Sequence, residues 1–228
     1  MYKEGRVLTC YDDVIRRIKD ACLRSGRDFE KVHLLAVTKY ADVNDVSLLL
    51  SQRNIFAVGE SKAQDSIKKW SAEPLKEFKT AKFFIGHLQS NKTAKIIENF
   101  DLICSLDTVE MARHIGLQAQ RLNKKVGCLL QVKITQRLTQ GGVPLEQAGE
   151  LIKLIRSDVP SLELKGIMAI APQTSDQSEL RPLFRNVKKV FDDNFEENCY
   201  LSLGMSQDFE TAVEEGSNLP RIGSAIFQ

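Results

Sequence analysis

LSLGMSQDFETAVEEGSNLPRIGSAIF, residues 201–227, decides how the chain folds. The apolar run that opens it reads as a strand over 200–206, closing on Gly204-Met205-Ser206. Phe209, Ala212 and Val213 then share one face of a short helix, with Ser206 expected as its cap and Gly216 as its stop. Leu219 opens a second strand, 219–224, which closes on Arg221-Ile222-Gly223-Ser224. Strand, helix and strand in such a short span make a βα step, the unit of a parallel sheet.

The same rhythm runs back to the N-terminus. Apolar runs at 33–40, 55–61, 82–88, 102–107, 126–135 and 164–172 bring the strand candidates to eight. Most are nearly continuous in apolar residues, as strands buried on both faces are. Between them lie helical stripes. Val14, Ile15, Ile18, Ala21 and Cys22 share a face of the first helix. Asp107 and Glu110 form an expected capping pair for a helix bearing Val109, Ala112, Ile115, Ala119 and Leu122. Pro144 suits the first turn of a helix bearing Leu145, Ala148, Leu151, Ile152 and Ile155. Eight βα steps in 228 residues predict an α/β fold, a single (β/α)8 TIM-type barrel forming one domain over 1–228. No full helix follows the eighth strand, so an extra N-terminal helix is expected to cover that gap. A doubly wound open sheet is the alternative.

Charge and cysteine usage narrow the function. Thirty-two basic and 30 acidic residues leave a net charge of +2, unlike the basic field of a nucleic-acid binder. The five cysteines, Cys10, Cys22, Cys104, Cys128 and Cys199, show no C-x-x-C spacing, so neither a zinc site nor a redox motif is indicated. Cys104 and Cys128 lie in apolar runs and read as buried reduced thiols of a reducing compartment. With no signal-peptide pattern and no apolar run long enough for a membrane span, the expected location is the cytoplasm.

Barrel enzymes place chemistry where strands end. Lys39 follows Leu34, Leu35, Ala36 and Val37, a setting expected to strip its hydration and favour the neutral amine that attacks aldehydes. The competing reading is a strand-end lysine reaching solvent. Met205-Ser206 and Gly223-Ser224 read as two halves of a phosphate cup, each pairing a hydroxyl with backbone N–H groups; two ordinary capping serines are the alternative. Strand alternation puts Arg221 on the same face as Gly223.

Taken together, LLAVTKY, AVGESKAQD, FFIGHLQSNK, LKGIMAIAP, LSLGMSQDFETAVEEGS and RIGSAIF resemble the YggS/PROSC family of pyridoxal 5′-phosphate (PLP) homeostasis proteins across essentially the whole chain. That family is similar to the barrel domain of alanine racemase standing alone, fold type III of the PLP proteins. The resemblance implies PLP as the cofactor, held as a Schiff base on Lys39. It places Ser206, Gly223 and Ser224 at the phosphate, Arg221 beside the pyridine nitrogen, and Met205, His87 and Ser61 in the neighbourhood. Three departures stand out. Ser61 replaces the usual Asn of a GEN-type motif, so a contact there is expected to be shorter or bridged by water. The stretch 133–142 (KITQRLTQGG) leaves the usual pattern, and Gln228 replaces a usual glycine.

The resemblance implies a protein that carries or buffers PLP and takes part in vitamin B6 and amino-acid balance. PLP-dependent apo-enzymes are possible acceptors, and a monomer is the expected state. Racemisation needs acid–base groups on both faces of a substrate. Tyr40 is expected to point away from Lys39, Tyr200 to lie at the wrong end of its strand, and Tyr2 and Tyr11 near the N-terminus. His87 is the one nearby substitute. An alanine-racemase-type enzyme, or an aldolase-like barrel without PLP, are the other readings.

Overall fold

The structure, a computed structural model, describes residues 5–135, 141–174 and 176–228. Helix α1 (Arg6–Ser25) is followed by β1 (Leu35–Val37), α2 (Val43–Gln52), β2 (Ala57–Glu60), α3 (Ala63–Trp70), β3 (Ala81–Phe84) and α4 (Thr93–Asn99). The alternation continues with β4 (Leu102–Leu106), α5 (Val109–Arg121), β5 (Val126–Lys133), a two-residue β6 (Val143–Pro144) and α6 (Ala148–Asp158). Then come β7 (Leu162–Ala169), α7 (Gln177–Asn194), β8 (Tyr200–Ser202), α8 (Phe209–Glu214), β9 (Arg221–Ile222) and α9 (Ser224–Phe227).

The strand order is β8-β7-β5-β4-β3-β2-β1-β9, every pairing is parallel, and β6 hangs on β5. Such an order of parallel strands, wrapped by helices, is the expected (β/α)8 barrel and not an open sheet. Its interior is filled by Leu35, Ala57, Phe83, Leu102, Cys104, Leu129, Met168 and Leu219, a packed core and not a pore. Their outward neighbours, among them Ala36, Val58 and Ile222, meet the helices. The seam between β8 and β9 carries no strand pairing among the described residues. Other bonds close it. Arg221 N–H donates to Gly204 O (2.9 Å), Asn218 N–H to Leu201 O (3.0 Å), and the Ser202 hydroxyl to Leu219 O (2.8 Å). Over this seam lies α1, whose Val14, Ile18 and Ala21 pack with Phe209, Val213, Ile222 and Ile226, as expected for the covering helix.

Several local expectations are corrected. Thr108, not Asp107, caps α5, its Oγ1 accepting the Met111 N–H at 3.1 Å. Pro144 lies in β6; a 3₁₀ turn, Leu145–Gln147, intervenes before α6 begins. Ser206 does not cap α8. Asp208 stands at that N-cap position, with no side-chain cap bond of its own. Gly216, at φ 111°, does stand two residues past the helix end as a stop. The expected strands were also drawn too long, because a strand ends when its ladder partner does and apolar residues continue into the loops. Tyr2 and residues 136–140 of the unusual 133–142 stretch lie outside the described residues.

Candidate functional site

At the C-terminal rim of the barrel a cavity of about 300 Å³ is lined by Lys39, Met205, Ser206, Arg221, Gly223 and Ser224. Six expected residues from three strand ends thus share one space. Val37, Tyr40, Thr174, Asp208, Phe227 and Gln228 complete much of its wall.

The two serines belong to one assembly. Ser206 Oγ accepts the Ala225 N–H at 3.2 Å, which ties the loop after β8 to the start of α9. The Asp208 carboxylate takes the Met205 N–H at 2.6 Å and so folds that loop back on itself. Gly204, at φ 88°, makes the turn possible; a Cβ there would meet Phe209 Cα at 2.8 Å. At Gly223 an added Cβ would meet the Val37 carbonyl at 3.0 Å, so this glycine lets β9 close on β1.

Arg221 is buried inside the barrel mouth. Its guanidinium donates to Ser202 O (2.7 Å), Ser202 Oγ (2.8 Å) and Ala169 O (2.8 Å). Burial lowers its pKa, an effect that nearby Asp208 opposes. Burial pushes the Asp208 carboxyl up. It also pushes the Cys104 thiol up to about 12, so that group is an inert, protonated neighbour. All five cysteines are free.

Lys39 differs from expectation. It is exposed, so burial does not strip its hydration. It occupies the second position of a turn closed by Ala41 N–H donating to Thr38 O at 3.0 Å, beyond the end of β1. Strand alternation does not apply there. Tyr40 therefore does not point away: its ring centroid lies 5.2 Å from Lys39 Nζ, and it shares the cavity wall. Tyr200 does sit at the opposite end of the barrel, among Phe56 and Phe83.

Ser61 and His87 are not on the cavity wall. Gly86 packs so tightly on Ser61 that a Cβ would come within 2.0 Å of the Ser61 carbonyl oxygen. The loop after β3 then carries His87 outward, where it is exposed and offsets part of the upward push that burial gives Asp107. Reasoning from sequence missed Asp208, Thr174 and Phe227. An acid two residues past a cup serine was the one readable signal among them.

Fold and rim together define the class: a (β/α)8 barrel with an amine, a buried guanidinium and a two-serine cup at its C-terminal mouth. The chain belongs to the alanine racemase N-terminal domain family, matched over residues 16–228, and to the pyridoxal phosphate homeostasis proteins. The pyridoxal phosphate homeostasis protein of Aquifex aeolicus is 34% identical over 218 residues, 94% of each chain. That of Helicobacter pylori (strain 26695) is 35% identical over 220 residues, 95% of this chain and 96% of its own. Among solved structures, PipY of Synechococcus elongatus with PLP bound superposes with a TM-score of 0.77 at 26% identity, covering 94% of this chain and 100% of that one. Alanine racemase of Clostridium difficile matches with a TM-score of 0.75 at 13% identity over 97% of this chain and 56% of its own, a likeness of fold alone. No helix among the described residues is long and apolar enough to cross a membrane.

Proposed function

We propose that this chain is a PLP-binding protein that carries or buffers the vitamin and takes part in vitamin B6 and amino-acid homeostasis. The observation that carries this reading is the convergence of Lys39, Ser206, Arg221, Gly223 and Ser224 on one cavity. The donor set fits the ligand: the Lys39 and Arg221 cations and the Ser206 and Ser224 hydroxyls share the wall with the Asp208 carboxylate, which is already tied to a backbone N–H. A volume of about 300 Å³ is at the small end for ligand pockets, as a single small aromatic phosphate requires.

PLP supplies an anionic anchor and an aldehyde carbon open to amine attack. The Ser206 and Ser224 hydroxyls, with neighbouring backbone amides, would hold the phosphate. Arg221 would stand beside the ring nitrogen, where its positive charge would oppose protonation. Lys39 would supply the amine for that aldehyde from an exposed, solvated turn, an arrangement suited to loading and unloading. The chain works as one barrel unit and as a monomer in a reducing cytoplasm, consistent with its free buried thiols, and PLP-dependent apo-enzymes are its acceptors.

The test is spectroscopic. Purified protein with PLP should show a band at about 420 nm that Lys39→Ala abolishes. Borohydride reduction should leave the added mass on Lys39; an adduct elsewhere, or none, would sink this assignment.

One observation favours a second reading. Tyr40 stands beside Lys39, so a phenol is available where a second acid–base group was expected to be missing. Incubation with D- and L-alanine in D2O separates the two. The carrier shows no catalytic α-proton exchange, whereas an enzyme shows steady exchange that Tyr40→Phe removes.

A further inference from the structure

We propose that a buried Glu60 cluster between β2 and α3 is a positioning device for Lys39. This inference rests on Lys39 being the amine that captures PLP. Glu60 is 2% exposed. Its Oε1 accepts from Thr38 Oγ1 (2.8 Å), Lys69 Nζ (3.1 Å) and Trp70 Nε1 (3.1 Å), and its Oε2 from Ser66 Oγ (3.1 Å). Lys69 makes a second bond, from Nζ to Thr38 O at 2.7 Å.

Thr38 is thereby held at three points. Its N–H donates to Gly59 O (3.0 Å), its hydroxyl is gripped by Glu60, and its carbonyl takes both Lys69 and Ala41 N–H. That carbonyl belongs to the peptide joining Thr38 to Lys39. Lys39 itself lies past the last ladder residue, Val37, in the turn that the same carbonyl closes. No strand pairing fixes the direction of its side chain; the clamp on Thr38 does.

The energetics support a positional role. A carboxylate 2% exposed and an ammonium whose side chain is 15% exposed are costly to remove from water. Apolar residues of similar size would hold the helix as well. What they would not do is bond the Thr38 hydroxyl and carbonyl. Condensation forms a C=N bond between Lys39 Nζ and the aldehyde carbon while the C=O bond breaks and its oxygen leaves as water. It needs the amine within attack distance of a ring whose phosphate is already seated, and small misplacements slow such steps steeply.

The experiment compares the full-length parent with Glu60→Gln and Lys69→Met in two measurements. One is the rate at which PLP produces the band at about 420 nm. The other is the affinity for pyridoxine 5′-phosphate, which has the same ring and phosphate but an alcohol where the aldehyde stands. The proposal expects capture to slow by at least about tenfold. Affinity for the alcohol should stay within about twofold of the parent. Lys69→Arg, which keeps a cation and donors, should recover most of the rate. Unchanged capture in folded variants, or equal losses in both measurements, overturns it. Should Glu60→Gln fail to fold, Trp70→Phe and Lys69→Gln each remove one donor from an intact carboxylate, and the same two measurements decide. A parent that binds pyridoxine 5′-phosphate yet gives no band removes the underlying Lys39 assignment, and this inference with it.

Discussion

Lys39 and Arg221 share one cavity but stand in opposite environments, and that contrast can be measured. Lys39 is solvated, so Lys39→Ala should change the unfolding free energy by no more than about 0.5 kcal/mol in urea. Arg221 is 5% exposed and satisfies Ser202 O and Ala169 O. Arg221→Met leaves those buried carbonyls short of a donor and should cost about 3 kcal/mol in the same assay. Asp208 adds a pH dependence. Its carboxyl is raised in the fold by burial, so its contribution to stability is full below the ordinary value of 3.8 and is lost as pH rises through the raised value. Asp208→Asn keeps an acceptor for the Met205 N–H and removes that loss. The variant should therefore gain on the parent in unfolding free energy as pH climbs from about 4 to 7. A flat difference would mean that the charged bond to Met205 offsets the burial.

At the scale of elements, the cup rides on α8 and α9, which are a few residues long and lean on α1. Ile18, 1% exposed on α1, packs into that contact, and Ile115, 0% exposed on α5, packs far from it. Ile18→Ala and Ile115→Ala should each cost about 2–4 kcal/mol in stability. Only Ile18→Ala should also weaken PLP binding when both proteins are still folded, as a titration of the visible band would show. These elements are where the sequence was most and least informative. The apolar runs marked all eight barrel strands, because burial on both faces leaves a composition that cannot be mistaken for a loop. Ser206, Gly223 and Ser224 drew attention by their joint placement at the ends of the last two strands, since either serine alone reads equally well as a helix cap, and the structure brings all three to one cavity wall. Tyr40 was misread by extending strand alternation past Val37 into a turn. Ser61 and His87 stand off the cavity wall because a loop's path depends on tertiary contact, here Gly86 against Ser61, which no local pattern displays. Glu60 was seen only as part of a motif, since nothing local shows that Thr38, Ser66, Lys69 and Trp70 converge on it.

For the whole molecule, the gap in the strand ladder and the proposed phosphate cup coincide. Strand pairing runs around the barrel from β8 to β9 but, among the described residues, does not join those two. Between them the closure is made of discrete bonds. Ser217 Oγ takes the Leu203 N–H, Asn218 Oδ1 takes the Leu201 N–H, and the Arg221 guanidinium reaches across to Ser202. Ser206 lies on one side of this seam and Ser224 on the other, with one direct link from the Ala225 N–H. A phosphate gripped from both sides would act as a staple at the place where the ladder is incomplete. Ligand that binds only the folded chain stabilises it by about 2.7 kcal/mol at a hundred times its Kd, wherever it binds. The seam makes a sharper claim about location. Amide hydrogen exchange should slow on adding PLP chiefly in 201–206 and 217–226, with β3, β4 and α5 little changed. Pyridoxine 5′-phosphate should reproduce most of that protection, since the staple is the phosphate. Lys39→Ala should retain it for the same reason. Protection spread evenly around the barrel, or lost with Lys39, would show instead that the captured aldehyde, and not the anion, closes the fold.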